Sequence, residues 1–334
     1  MNKIKKAGKY IDSVMKVRDI FPPRLLCLNL FTKFYSQLPF LSAMFYMPVV
    51  RHYTTAIETF LLKNIPELVE LAKEISESTT VRKNNSSLKK IIWQFWGQGQ
   101  NQAPFLVQKC MNSVAKHNSD ADIRVLSMEN YQDYIDVPAS IQKRVDQGNM
   151  TITHFSDYLR VKLLSLYGGI WVDATVFMTQ SIPEKCFRQF YSLHPVDSSI
   201  ASPTVSHHRW ATFILSGQPE DPLYRFLSNA FELYWTKYSK PVDYLLIDYL
   251  IDIAIQMIPT VKEEVDNVPT SNMYAYQLQA LLTKSYQNNV TSIQKLLDSD
   301  TWMFKLTYKD VAEDLLQRYN SVFSYLNRKT LDDN

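Results

Sequence analysis

The sequence predicts an α/β sandwich of the nucleotide-binding kind, extended by helices at both ends. Between residues 90 and 127, short runs rich in β-branched and aromatic residues alternate with a helical pattern. Between 154 and 175, a helix, a Gly-Gly turn and a buried strand ending in a carboxylate follow one another. From Pro222 onward helical patterns dominate.

Taken in order, residues 1–24 carry Lys3, Lys5, Lys6, Lys9, Lys16, Arg18 and Arg24 against Asp12 and Asp19. Leu25 to Val50 is aromatic and apolar, with Lys33 its only charge. Pro39 and Pro48 interrupt it, and its uncharged part falls short of the roughly 20 residues a membrane-spanning helix needs. No short apolar core leads to a small-residue cleavage site, so a signal peptide does not fit. Basic residues beside apolar aromatics suit an anchor on an anionic membrane surface, or equally a helical cap on the following domain. Glu58 to Ser78 repeats at helical spacing, and Glu77 to Ser87 is polar and turn-rich. These signals divide the chain into a helical region, 1–87, and a sandwich domain, 88–334, joined by that linker.

Lys90 to Trp96 reads as the first strand, Phe105 to His117 as a helix, and Ile123 to Ser127 as the second strand. Ser156 is the expected N-cap of the next helix, with Asp157 in its first turn, where the helix dipole favours negative charge. Leu159, Leu163, Leu164 and Tyr167 recur at core-facing spacing. Gly168-Gly169 supplies the left-handed residue that stops a helix. Ile170, Trp171 and Val172 are strand formers. Asp173 then lies at the strand's C-terminal end, where open α/β sheets bind ligands. Residues 200–204 and 210–216 are short strands or loops, and helices are expected over 223–238, 244–257 and 309–328. No internal repeat or low-complexity tract occurs.

Composition narrows the function. A hydrophobic fraction of 46% supports a core, and 334 residues suit one large domain with additions, or two domains. A net charge of +3 argues against a nucleic-acid surface. Neither Gly-x-Gly-x-x-Gly nor a Walker loop occurs among 7 glycines, which argues against Rossmann dehydrogenases and P-loop kinases. Cys27, Cys110 and Cys186 lie far apart without metal spacing, as expected in a reducing cytoplasm. His207-His208 is the one histidine cluster, placed in a solvated loop or on the acceptor side of a site.

Asp157 and Arg160 share one helix face, and Asp173 follows a reversal of chain direction that could return it to the same place. Two acids and a guanidinium near a strand end suit the ribose hydroxyls, diphosphate and metal of a nucleotide-sugar. An ordinary helix ion pair with a separate strand-end acid would show the same spacing.

The segment resembles the Ser-Asp-x-x-Arg…Gly-Gly-x-(Trp/Tyr)-x-Asp block of DxD-type sugar transferases. These include outer-chain mannosyltransferases, clostridial glucosylating toxins and bacterial capsular polysaccharide synthesis proteins. The capsular proteins are the most similar, through Gly168-Gly169-Ile170-Trp171-Val172-Asp173-Ala174-Thr175. Lys90 to Gly99 resembles the family's first strand and its Gly-containing loop, and Lys305 to Lys309 a C-terminal block. The likeness runs over residues 88–310.

The resemblance implies a GT-A type, Rossmann-like fold and hexose transfer with retention of configuration. It implies that Asp157 and Arg160 hold the donor's ribose and sugar, and that Asp173 engages the sugar and a diphosphate-bound divalent cation, Mn or Mg. Trp96, with Trp93 as a second candidate, would stack on uracil. Lys305 or Lys309 would face phosphate. Thr175 stands where a second acid would be, and a neutral hydroxyl is a poor ligand for such ions. Asp248 is the best further carboxylate for the catalytic set; capping by Asp243 and surface exposure of Asp248 are the plain readings. The expected partners are a nucleotide-sugar, UDP-galactose or UDP-glucose, and a saccharide acceptor linked to polyprenyl diphosphate. The expected place is the cytoplasm, peripheral on the inner face of the plasma membrane. A sugar-binding scaffold and a nucleotidyltransferase are the alternatives.

Overall fold

Residues 8, 11–12, 14–35, 42–78, 89–196, 204–309 and 311–329 are described in this computed structural model. Helices α1 (Pro23–Tyr35), α2 (Ser42–Asn64) and α3 (Glu67–Ser78) precede the sheet. Pro23 opens α1, where a missing N–H costs nothing. Leu68, Ala72 and Ile75 of α3 are buried at helical spacing, in the same hydrophobic core as the sheet. α2 continues through Pro48. Among the described residues no helix is long and apolar enough to cross a membrane. The expected linker overlaps the end of α3, and its residues 79–87 lie outside the described residues.

The central strand β1 (Ile91–Phe95) is buried at every position, as a strand covered on both faces must be. After α4 (Phe105–His117), β2 (Asp122–Leu126) returns parallel to it. Then α5 (Ala139–Asp146) and α6 (Ile152–Tyr167) lead to β3 (Gly169–Val172), parallel to β1 on its other side. β4 (Val176–Met178) leaves this sheet, whereas β5 (Tyr191–Ser192) and β6 (Ile214–Gly217) complete it. The order is β2-β1-β3-β6-β5, with β6 antiparallel to both of its neighbours. β4 pairs instead with β7 (Met303–Lys305) in an antiparallel ribbon.

Helices α7 (Pro222–Lys237) and α8 (Leu246–Met257) pack on this frame, followed by α9 (Pro259–Asp266) and α10 (Val290–Leu297). α3 lies against α7 and α8, so the N-terminal helices cap the sandwich. A smaller core around Phe177, Phe304 and Phe323 joins the ribbon to the C-terminal helices. The mixed sheet flanked by helices is the GT-A type, Rossmann-like architecture expected.

The Gly-Gly turn is obligatory. Gly169 has φ 93°, and a Cβ there would lie 2.6 Å from the Ile91 carbonyl oxygen. Gly168 has φ 62°, and a Cβ there would collide with Pro219. This close approach lets β3 enter directly beside β1.

Several expected elements are corrected. α6 begins at Ile152, and its cap is Thr151, whose hydroxyl accepts from the His154 N–H. Ser156 and Asp157 therefore lie in the second turn, and the dipole does not hold Asp157. The single helix expected over 309–328 is two short ones, α11 (Glu313–Gln317) and α12 (Val322–Asn327). Arg318 is extended, and Ser321 caps α12 by accepting from the Ser324 N–H. Asp243 does not cap α8: its Oδ1 accepts from the Leu245 N–H, but the first helical residue is Leu246. Of the 200–204 element, residues 200–203 lie outside the described residues.

Candidate active site

Asp173 follows β3, and its backbone is fixed by bonds from its N–H to the Phe213 carbonyl and from the Val176 N–H to its own carbonyl. The carboxylate is held from three directions. Oδ1 accepts from Arg160 Nη2 at 3.2 Å and from Trp171 Nε1 at 2.9 Å. Oδ2 accepts from Lys305 Nζ at 2.6 Å. The same ammonium donates to Thr175 Oγ1 at 2.8 Å. Lys305 arrives on β7, directly opposite Val176 in the ribbon. The reason β4 leaves the main sheet is thus visible in the site: the ribbon delivers a cation from 130 residues away to the end of β3.

Arg160 rises from α6 and is only 4% exposed. Its guanidinium lies 5.0 Å from the Trp171 ring centroid and pairs with Asp157 at 3.2 Å. Asp157, Arg160 and Asp173 therefore meet as the sequence proposed. Burial pushes the Asp157 carboxyl up to about 7; Arg160 pulls against this, and Asp248 and Asp173 add to it. Burial also works against an ionised Asp173, but Lys305 and Arg160 outweigh it and hold that carboxyl below its usual range. Neighbouring acids are driven apart: one stays anionic, the other is poised near neutrality.

Asp248, on α8, is half-buried rather than a surface group. Trp210 Nε1 donates to its Oδ1 at 2.9 Å. Burial pushes its carboxyl up to about 6, opposed by the Trp210 bond and by Arg160. Tyr244 stands exposed two residues before this helix.

A cleft of about 270 Å³ opens above Asp173. One wall is a single face of α6, formed by Ile152, Thr153, Ser156 and Arg160. The helix N-terminus thus borders the cleft, a favourable place for a phosphate. The other side carries Trp96 and Tyr308, packed edge to face with centroids 5.5 Å apart. The Trp96 indole N–H is buried and has no hydrogen-bond partner.

Two sequence candidates fall away. Trp93 is fully buried, donates to the Gly168 carbonyl at 2.9 Å and packs against Tyr134 and Tyr167. Enclosed in this way, it cannot receive a base. Lys309 is exposed, with its backbone N–H bonded to Thr307 Oγ1; Lys305 is the lysine that reaches the site. Sequence reasoning missed Thr153 and Tyr308 as lining residues and read Ser156 only as a cap. The 152–153, 156, 160 spacing on one helix face was the available signal. His207 and His208 occupy a turn at positive φ, and the adjacent Arg209 is tied to Asp252 at 2.8 Å.

A divalent cation fits the donor set poorly. Both oxygens of Asp173 already accept from N–H donors, and Ala174 offers no ligand. Among the described residues no group of three or more His, Cys, Asp or Glu side chains could hold a metal.

The family model described as capsular polysaccharide synthesis protein matches residues 55–326. The chain belongs to that family. The match takes in both sheets and every polar residue placed around Asp173. Among curated proteins, this capsular polysaccharide synthesis family member is 29% identical over 109 residues to O-glycosyltransferase braB of Annulohypoxylon truncatum, covering 30% of the chain and 26% of the relative. It is 26% identical over 121 residues to O-glycosyltransferase PaGT of Phomopsis amygdali, covering 34% and 30%. It is 29% identical over 106 residues to glycosyltransferase afumC of Aspergillus fumigatus, covering 29% and 27%. The matched segments thus span less than a third of each relative's length.

Proposed function

We propose that the chain is a retaining glycosyltransferase that moves a hexose from UDP-galactose or UDP-glucose to a hydroxyl of a saccharide acceptor. The observation that carries this reading is the Asp173 carboxylate, clamped by Arg160 and Lys305 at the floor of a cleft bordered by a helix N-terminus. The names of the fungal relatives, two of them O-glycosyltransferases, support transfer to oxygen.

Trp96 offers its face to the base. The diphosphate lies between the start of α6, Arg160 and Lys305. Asp157 and Asp173 accept from ribose and sugar hydroxyls. In the transfer, the bond from the sugar C1 to the β-phosphate oxygen breaks, and its electron pair stays with the diphosphate. The acceptor oxygen bonds to C1 from the same face, and its proton passes to the departing phosphate oxygen. The fixed cations stabilise the charge that develops on that oxygen, the largest electrostatic contribution available here. Asp248, whose carboxylate is held by Trp210, is the group proposed to orient the incoming hydroxyl.

The acceptor proposed is a polyprenyl-diphosphate-linked saccharide in capsule or exopolysaccharide synthesis, met at the inner face of the plasma membrane. Exposed Ile11, Met15, Phe31 and Phe34, interspersed with Lys16, Arg18 and Arg24, support surface contact with anionic lipid. The test is release of nucleoside diphosphate from a panel of UDP-, GDP- and dTDP-sugars by purified protein. Release from a UDP-hexose, absent in Asp173→Ala, supports the reading. Release unaffected by that substitution contradicts it.

A further inference from the structure

We infer that Lys305 is the built-in counter-cation of the donor diphosphate and takes the place of a divalent metal, so that donor binding needs no metal ion. The inference rests on the donor-site reading above and concerns how that site is neutralised.

The Lys305 ammonium sits 2.6 Å from Asp173 Oδ2 and 2.8 Å from Thr175 Oγ1, bridging the acid and the hydroxyl that replaces a second acid. A metal ligated through this loop would need that same space and those same oxygens. The other Asp173 oxygen is taken by Arg160 and Trp171.

Charge balance points the same way. A pair of carboxylates calls for a divalent ion; one carboxylate and a threonine call for a single positive charge. Lys305 supplies that charge, donating to Thr175 and Asp173 together.

Lysines are usually flexible, but this one is fixed at its root. Lys305 pairs with Val176 across the ribbon, its N–H bonds to the Ala275 carbonyl at 2.8 Å, and the ammonium lies 5.0 Å from the Phe213 ring centroid. The loop it meets is fixed too, since the Leu306 N–H bonds to the Thr175 carbonyl at 3.0 Å. An ammonium has three donors. Asp173 and Thr175, which both line the cleft, take two of them, leaving one for a phosphate oxygen. A cation held in place before the ligand arrives needs no reorganisation to stabilise a leaving diphosphate.

Calorimetric titration of UDP, GDP and dTDP into the full chain tests this, in buffer with EDTA and in buffer with MnCl2. The expected result is that the nucleotide that binds does so with affinities within about twofold in the two buffers, and that Lys305→Met weakens it by about tenfold or more in both. The double variant Thr175→Asp/Lys305→Ser is expected to bind that nucleotide only with Mn²⁺. Circular dichroism and thermal melting establish that the variants fold, and the wild-type comparison needs no variant. Binding by the wild type that disappears in EDTA and returns with Mn²⁺ overturns the inference while leaving the donor site standing. So does a folded Lys305→Met that binds as the wild type does. Failure of every nucleotide in both buffers overturns the donor reading itself, and this inference with it.

Discussion

Asp157 is expected to cost the protein stability, and replacing it by asparagine should raise stability while abolishing transfer. In the unfolded chain the carboxyl titrates near its ordinary value of 3.8, and in the fold it is pushed up to about 7. Burial is the main cause, and the Asp248 and Asp173 charges add to it against the pull of Arg160. Between those values the folded state binds the proton more tightly than the unfolded state. Stability therefore falls as pH rises through the window. About three pH units at roughly 1.4 kcal/mol each make the ionised carboxylate about 4 kcal/mol unfavourable above neutrality. The Asp157→Asn substitution would remove that burden but would leave Arg160 with Asp173 as its one close acid. Roughly half the gain, about 2 kcal/mol at pH 8, should survive. Urea unfolding of wild type and Asp157→Asn from about pH 4 to pH 8 measures it. The difference should grow steadily to about pH 7 and then level off. Parallel curves for the two proteins, or an Asp157→Asn variant less stable than wild type at the alkaline end, would refute the reasoning.

Other substitutions separate the roles of neighbouring residues. Trp96→Ala should weaken nucleotide binding in calorimetry by about tenfold, with little change in unfolding free energy. Trp93→Ala should do the reverse, costing about 3–5 kcal/mol in urea unfolding, because it empties a fully buried site. Arg160→Ala leaves Asp157 and Asp173 without their shared cation and should lower stability by about 3–5 kcal/mol at pH 7, by the same assay. Gly169→Ala, forced to φ 93° with its Cβ 2.6 Å from the Ile91 carbonyl oxygen, should cost about 3 kcal/mol and lower the thermal midpoint. A Gly169→Ala variant that melts with the wild type would contradict the tight β3–β1 approach.

The sandwich was legible because its signals are local. Gly168-Gly169, the apolar β1 and β3 segments and the acid after β3 lie within short windows, and the fold uses each as written. The cap of α6 was misplaced because Ser156 and Thr151 are both good cap residues, and only Thr151 has the geometry. Ser156 instead faces the cleft. The 309–328 segment has helical composition throughout, but an extended Arg318 breaks it, and no glycine or proline announces the break. Trp93 and Trp96 differ by the strand's alternation: Trp93 lies within β1 and faces the core, whereas Trp96 follows its end and borders the cleft. The Lys305–Asp173 bond joins residues 132 apart through a ribbon that no local pattern reveals. The burial that lifts Asp157 and Asp248 likewise arises from packing between distant helices.

The most direct measurement is a crystal structure of the protein with an intact UDP-hexose, or with the donor that the hydrolysis panel selects. The base should lie against Trp96, and the β-phosphate should lie within hydrogen-bond reach of both Arg160 and Lys305. The sugar hydroxyls should meet Asp157 and Asp173. A nucleotide-sugar bound elsewhere, with no contact to Asp173, Arg160 or Lys305, would contradict the assignment of this site.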